Sequence, residues 1–291
     1  MAEPQHQKGI FQVHIDLDLP HALNKFYKGP SNDDAANDDY SHTLLKRATT
    51  FFSEHQIKAT FFVITQDLKL NRYAALLKEL SLSGHEIASH THTHPYFNES
   101  SPIAQIEEES RRSYEEINSF FGAPPAGFRS PGFFITDEML QVLIETGYKY
   151  DSSLFCSPLM VLLDFGARLR GVRTNYSRRK PIDLNALKHK SFREVPLPAC
   201  LGLPYYNNLN LYFPRPLRDL MIFMGSRGKN SPYLFHLIEF ADLESDRQYL
   251  PAAILKHPNI LTPLKKKLQF AGKIITQLKK QGVNKLTKDC V

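Results

Sequence analysis

Gly84-His85-Glu86-Ile87-Ala88-Ser89-His90-Thr91-His92-Thr93-His94-Pro95 sets a brief strand, Glu86-Ile87-Ala88, directly before three imidazoles in five residues. Neutral imidazole is a common ligand of divalent transition metals, and this density points to a bound ion. In a helical turn His90 and His94 share a face while His92 points away, because positions four apart stack and positions two apart do not. In an extended strand all three share a face and compete for one site. Gly84 before the run and Pro95 after it favour a short turn over a long element. The competing reading is a solvated histidine-rich loop, since short metal motifs also match by accident.

The residues upstream decide the fold class. Gly9 to Leu19 alternates as a strand, with Val13, Ile15 and Leu17 against His14, Asp16 and Asp18. Period two sets Asp16 and Asp18 side by side near the strand's C-terminal end. Two carboxylates placed so repel unless a cation sits between them or one is protonated. An edge strand with a polar solvent face would alternate equally well. Pro20 to Tyr40 is polar, rich in Asn and Asp, and reads as a loop. Helical spacing follows through Leu44, Leu45, Ala48, Phe51 and Phe52. The run Ala59-Thr60-Phe61-Phe62-Val63-Ile64 then has the character of a buried parallel strand. A helix with Ala74, Leu77 and Leu80 leads to Gly84. Strand and helix alternate, which calls for a parallel sheet or barrel.

The alternation continues downstream. Ser101-Pro102 reads as a capped helix start, and Ile103, Ile106, Tyr114, Ile117 and Phe121 carry that helix to Gly122. A short strand ends in Arg129, within the rigid turn Arg129-Ser130-Pro131-Gly132. Thr136 caps the next helix and Gly147 stops it. Tyr148 to Ser153 is a strand again ending in polar residues. Residues 154–192 lack clear periodicity, carry basic clusters at Arg168-Leu169-Arg170 and Arg178-Arg179-Lys180, and read as an irregular insertion. A strand end at Glu194 to Pro198, a helix near Leu217 to Met224, a strand Tyr233 to Phe240 carrying His236, and an amphipathic helix from Pro263 to Gln281 follow.

The 291 residues suffice for one large domain or two small ones, and 42% hydrophobic with 23% charged residues is ordinary globular material. No apolar run approaches the roughly 20 residues that span a bilayer, and Met1 to Gln7 lacks the features of a secretory signal. Three cysteines, Cys156, Cys200 and Cys290, suit a reducing compartment and leave nitrogen and oxygen as metal ligands. These features imply a cytoplasmic protein. The net charge of +6 is uneven: from Pro251 onward nine lysines, Lys265, Lys266, Lys267, Lys279 and Lys280 among them, face a single acid, Asp289. Such a face can meet an anionic membrane or simply solvent; no nucleic-acid motif accompanies it.

Taken in order, Asp16-Leu17-Asp18, His90-Thr91-His92-Thr93-His94, Arg129-Ser130-Pro131-Gly132, Tyr150-Asp151-Ser152-Ser153 and Leu234-Phe235-His236 resemble the five motifs of the polysaccharide deacetylases, the NodB-like carbohydrate esterases and amidases. The resemblance implies an α/β fold, an irregular (β/α) barrel of seven strands. It implies a single catalytic domain over 1–291, its core at about 9–281 and its insertion at about 154–192. The site would lie at the C-terminal ends of the strands. Carried over by motif, Asp18, His90 and His94 would bind one divalent metal, zinc first, with cobalt, nickel, manganese or iron also fitting. Asp16 would be the catalytic base, His236 the general acid and Arg129 the residue that orients the base; Asp151 joins the catalytic set.

The departures narrow the expectation. Leu17 separates two aspartates that are usually adjacent, a D-x-D form resembling a subgroup of amidases acting on smaller or lipid-linked substrates. Gly132 stands where an aromatic often follows the proline, and the chain has no tryptophan to wall a polymer groove. The expected reaction is removal of an acetyl or formyl group from the nitrogen of an amino sugar, possible carriers being a nucleotide or a lipid. The alternatives are an allantoinase-like amide hydrolase on the same barrel and an inactive metal-binding module.

Overall fold

A computed structural model of the chain describes residues 9–19, 34–154, 191–200, 203–204, 207, 213–225, 231–250 and 252–291. The irregular insertion therefore lies outside the described residues except at its two ends, and so do both of its basic clusters. Strands β1 (Gly9–Asp16), β2 (Thr60–Val63), β3 (Glu86–Ser89), β4 (Gly127–Phe128), β5 (Tyr150–Asp151), β6 (Arg193–Glu194), β7 (Ser231–His236) and β8 (Gly282–Asn284) form one parallel sheet. Helices α1 (Asp34–Glu54), α2 (Asn71–Leu82), α3 (Ile103–Phe121), α4 (Asp137–Thr146), α5 (Arg215–Gly225) and α6 (Leu264–Gln281) lie between them.

These eight strands fill seven positions. Phe11 pairs with both β8 and β7, so those two lie on opposite edges of β1; residues 14–16 pair with both β2 and β7, so those two are opposed as well. A strand has two edges, hence β8 and β2 share one, end to end. The Lys58 backbone N–H, just before β2, accordingly donates to Asn284 Oδ1 at 2.7 Å. Sequence reading stops the core at 281; the structure adds a strand beyond it.

β1 is thus an inner strand, not an edge. Its odd residues Phe11, Val13 and Ile15 join the core shared with Phe52, Phe61, Phe235 and Ile274. Its even residues Gln12, His14 and Asp16 are also buried, facing the other way. Neighbouring β2 divides its aromatics similarly: Phe61 packs in that core, while Phe62 clusters with Ala88, Tyr150 and Val195.

Several local expectations hold. The Thr136 side chain accepts from the Met139 N–H, and Gly122 and Gly147 end their helices in the left-handed region. Others do not. The 20–40 stretch is helical from Asp34 onward. Ser101 does not cap α3, whose N-cap is Pro102; its hydroxyl instead accepts from the Asn98 N–H. On α6 the lysine face is incomplete, because Lys267 is 1% exposed and donates to the Ala241 carbonyl. Among the described residues, no helix is long and apolar enough to cross a membrane.

Gly127 shows how closely neighbouring strands pack. A Cβ there would sit 1.9 Å from Tyr150 Cζ on the neighbouring strand. Tyr150 cannot retreat freely, since its hydroxyl donates to buried Glu86 at 2.9 Å. Gly127→Ala should therefore lower unfolding free energy by about 1–3 kcal/mol, the range of overpacked cores, read from the denaturant midpoint. An unchanged midpoint would show the strand pair to be looser than this.

Candidate active site

The parallel ladder runs one residue past several strands and pins the motif residues by their main chain. The N–H of His90 donates to Val63 O, that of Arg129 to Ser89 O, and that of Ser152 to Phe128 O, all within 2.8–2.9 Å. Asp16 sits opposite Phe62 on one side and His236 on the other. The C-terminal edge thus gathers Asp16, Asp18, His90, His94, Arg129 and His236.

The histidine run is neither helix nor strand. It turns through positive φ at Thr91 (69°) and His94 (59°), conformations that cost a non-glycine residue roughly 1–2 kcal/mol each. Glu109 on α3 offsets part of that cost. Its carboxylate accepts from the His92 N–H and the Thr93 N–H, both at 2.8 Å, and from the Thr93 hydroxyl at 2.6 Å. The Thr91 hydroxyl accepts from the His94 N–H. The resulting division is the one a helical turn would give, reached differently. His90 and His94 face Asp18, whereas His92 Nδ1 turns to Thr65 Oγ1 at 3.0 Å and Glu116 Oε2 at 2.9 Å.

Asp18 Oδ1 lies 3.3 Å from His90 Nε2 and 3.2 Å from His94 Nε2. One donor atom from each residue fits within 4.8 Å of the others. The distances suit hydrogen bonds but the angles do not. Asp18 Oδ1 and both ring nitrogens of His94 are buried without a hydrogen-bond partner among the described residues. Buried polar atoms rarely go unpaired, and ligands held about 2.1 Å from one cation lie roughly 3.0–3.4 Å apart. Two imidazoles and a carboxylate therefore fit a divalent ion here. His90 Nδ1 lies 2.8 Å from the Arg129 carbonyl, which can only accept, so a neutral His90 ring, the form that ligates a metal, keeps its lone pair on Nε2, the atom turned to Asp18. Burial works against the Asp18 charge, yet His94 and His90 hold its carboxyl well below the usual range.

Arg129 is fully buried, and its donors are placed on four acceptors. Nη1 reaches Asp16 Oδ1 at 2.6 Å, Nη2 reaches His14 Nδ1 at 2.7 Å and Ser152 Oγ at 2.8 Å, and Nε reaches Ser152 O at 2.8 Å. Its guanidinium lies over the Phe62 ring at 4.0 Å. His14 is held neutral by burial and by the adjacent Arg129 cation, both of which lower its pKa.

His236 Nε2 stands 3.9 Å from Asp16 Oδ2. Glu239 accepts from the His236 N–H at 2.9 Å and lies 3.4 Å from Nδ1; its other oxygen accepts from Asn207. Burial opposes the imidazolium, but the Glu239 bond and the charges of Asp16 and Asp18 outweigh it and raise the pKa to about 9. Glu239 lies only three residues beyond His236, a pairing that its spacing in the sequence could have suggested.

Asp151 is buried within electrostatic reach of Arg129, and its hydrogen bonds run to its own turn. Its carboxylate accepts from the Ser153 N–H and hydroxyl, at 2.9 and 2.7 Å. Ser153 Oγ in turn accepts from the Ser130 N–H. Asp151 thus shapes the turn that presents Arg129.

A polysaccharide deacetylase family model matches residues 34–150. The chain is 30% identical over 120 residues to the peptidoglycan-N-acetylglucosamine deacetylase of Bacillus cereus, covering 40% of this chain and 51% of that protein. It is 26% identical over 137 residues to the uncharacterized protein YlxY of Bacillus subtilis, covering 46% and 41% respectively. The chain thus spans about half or less of these curated relatives. A Mycobacterium smegmatis structure assigned to the polysaccharide deacetylases superposes with a TM-score of 0.54 at 16% identity, over 94% of this chain and 86% of that one. The Xyl-CE4 domain of a multidomain xylanase from a Trinervitermes trinervoides hindgut metagenome gives a TM-score of 0.50 at 13% identity, over 97% and 89%. Residues 34–150 match the polysaccharide deacetylase family, and the fold is the NodB-like (β/α) barrel of the solved structures that the chain resembles.

Proposed function

We propose that this protein is a metal-dependent hydrolase that removes an acetyl or formyl group from the nitrogen of an amino sugar. The observation that carries this reading is the convergence of Asp18, His90 and His94, with Asp16 and His236 3.9 Å apart beside them. The peptidoglycan deacetylases among the relatives support the substrate class. Asp18, His90 and His94 would hold the ion, zinc being the first to test. When bound, it supplies Lewis acidity, polarising the acyl carbonyl and acidifying a water.

The chain's own residues divide the proton work. Asp16, fixed by Arg129 Nη1, takes a proton from the attacking water as oxygen adds to the amide carbon. The leaving nitrogen departs only when protonated, and His236, an imidazolium below about pH 9, can give that proton. Glu239 holds the opposite side of its ring. The C–N bond breaks, and carboxylate and amine are the products. A module that only bound metal would need neither the placed base nor the placed acid.

Amine release from free and diphosphate-linked N-acetyl and N-formyl amino sugars should be abolished by a chelator and restored by metal. Asp16→Asn should lower kcat by about 10²–10⁴, the range for a positioned base. Metal-bound protein that turns over no sugar but hydrolyses ureides would move the assignment to the allantoinase-like reaction.

Metal should also raise the melting temperature, by linkage worth about 2.7 kcal/mol at a hundredfold excess over Kd. His94→Ala should lose that rise; an undiminished rise in the variant would place the ion elsewhere.

The pH profile tests the acid. Activity needing the imidazolium persists below the His236 pKa and is lost as pH rises through it. Glu239→Gln removes a negative charge that raises that pKa, so the alkaline limb of kcat should move to lower pH. A limb that stays put would exclude His236 as the group it reports.

A further inference from the structure

We propose that Thr287, beyond the last helix, is a positioning residue of the site: it fixes the tautomer of His14 and thereby the seat of Arg129 and Asp16. Its kinetic consequence rests on the hydrolase reading above; its structural content does not.

As far as Thr287 the hydrogen bonds allow one direction only. Arg129 has donors and no acceptor, so Nη2 at 2.7 Å makes His14 Nδ1 an acceptor. A neutral ring accepting at Nδ1 carries its proton on Nε2, which lies 2.6 Å from Thr287 Oγ1. Thr287 therefore accepts from His14, which leaves its own proton for Thr60 Oγ1 at 3.2 Å or for the Tyr150 hydroxyl, both of which lead on to Glu86. Thr60 in turn donates to Glu86 Oε2 at 2.8 Å. A polarised chain thus runs from the Arg129 cation to the Glu86 carboxylate, with Tyr150 Oη and the Lys288 N–H also donating to Glu86. Every side chain along it is at most 2% exposed, so no bulk water competes, and low dielectric strengthens each link.

The backbone explains how a residue so late in the chain reaches this position. β8 pairs with Gly9 to Phe11 at the N-terminal end of β1, and the Lys285 N–H donates to Phe11 O. Close approach needs glycine: a Cβ on Gly282 would lie 2.6 Å from the Gly9 carbonyl oxygen. The chain then turns through Thr287–Asp289 beneath His14, closing the end of the barrel away from the site. This segment lies outside the 34–150 match to the family.

Thr287→Val keeps the shape and deletes the hydroxyl, leaving His14 Nε2–H without its acceptor. Histidine-selective 15N NMR tests the chain in the unaltered protein first, with His14 identified by through-space contacts to Phe62. The expected result is a neutral Nε2–H ring whose proton exchanges slowly; an Nδ1–H ring or an imidazolium would overturn the proposal with no variant needed. In Thr287→Val, that proton should exchange fast, and kcat on an N-acyl amino sugar should fall roughly ten- to a hundredfold with KM unchanged, as when an outer orienting partner is lost. Thr287→Ser should retain both properties. Wild-type exchange and kcat in Thr287→Val would also overturn it. If the wild-type protein releases no amine from any sugar, the hydrolase reading fails, and the ring's tautomer and exchange still decide the role of Thr287.

Discussion

The buried guanidinium of Arg129 is the constraint on which the site's geometry depends. A cation taken out of water costs several kcal/mol even after relaxation, and only close, well-aligned partners recover that cost. Here those partners come from two strands, Asp16 and His14 on β1 and Ser152 after β5, and they meet Arg129 after β4. The ring of Phe62 covers its face. None of these can shift without leaving a buried charge unpaired, so the strand ends that carry the candidate site are tied together. The same residue acts through its main chain, because its carbonyl fixes the lone pair of His90.

Two carboxylates two residues apart would be expected to repel, and the structure separates their partners. Asp16 meets the permanent cation of Arg129, whereas among the described residues Asp18 is paired with His90 and His94. A guanidinium holds a carboxylate with donors and cannot leave or deprotonate, which suits a base that must keep one orientation. Imidazoles offer lone pairs, which suits a shared cation. The chemical difference between the two aspartates is thus set by their neighbours rather than by their own identity. His236 and Glu239 repeat the principle on the other side of Asp16.

Much of this was legible in the residues themselves. Period two in β1 and the apolar run of β2 disclosed the parallel sheet, and motif order pointed to strand ends that the fold brings together. What local pattern could not show is pairing across the chain. His14 stood out by its phase, yet its partner Thr287 lies 273 residues away. Glu109 looks like one more acid on the amphipathic helix α3, and only the folded loop shows it collecting three donors. Asp151 fits its motif, but side-chain direction sends its carboxylate to Ser153. Lys267 belongs to a lysine run by sequence and to the interior by helical phase, one turn from Phe270 and Ala271.

The intervening Leu17 follows from the same alternation. In a straight strand, adjacent side chains point to opposite faces, so two neighbouring aspartates could meet in one site only if the chain turned between them. With one residue between, both carboxylates keep the inner phase without a turn. Leu17 takes the outer phase and is fully buried in the same core as Val13 and Ile15. Its N–H still donates to Phe62 O, so the ladder persists to the last residue before Asp18. The D-x-D spacing therefore places two charges at the mouth of the barrel while adding one more apolar side chain to the layer behind it.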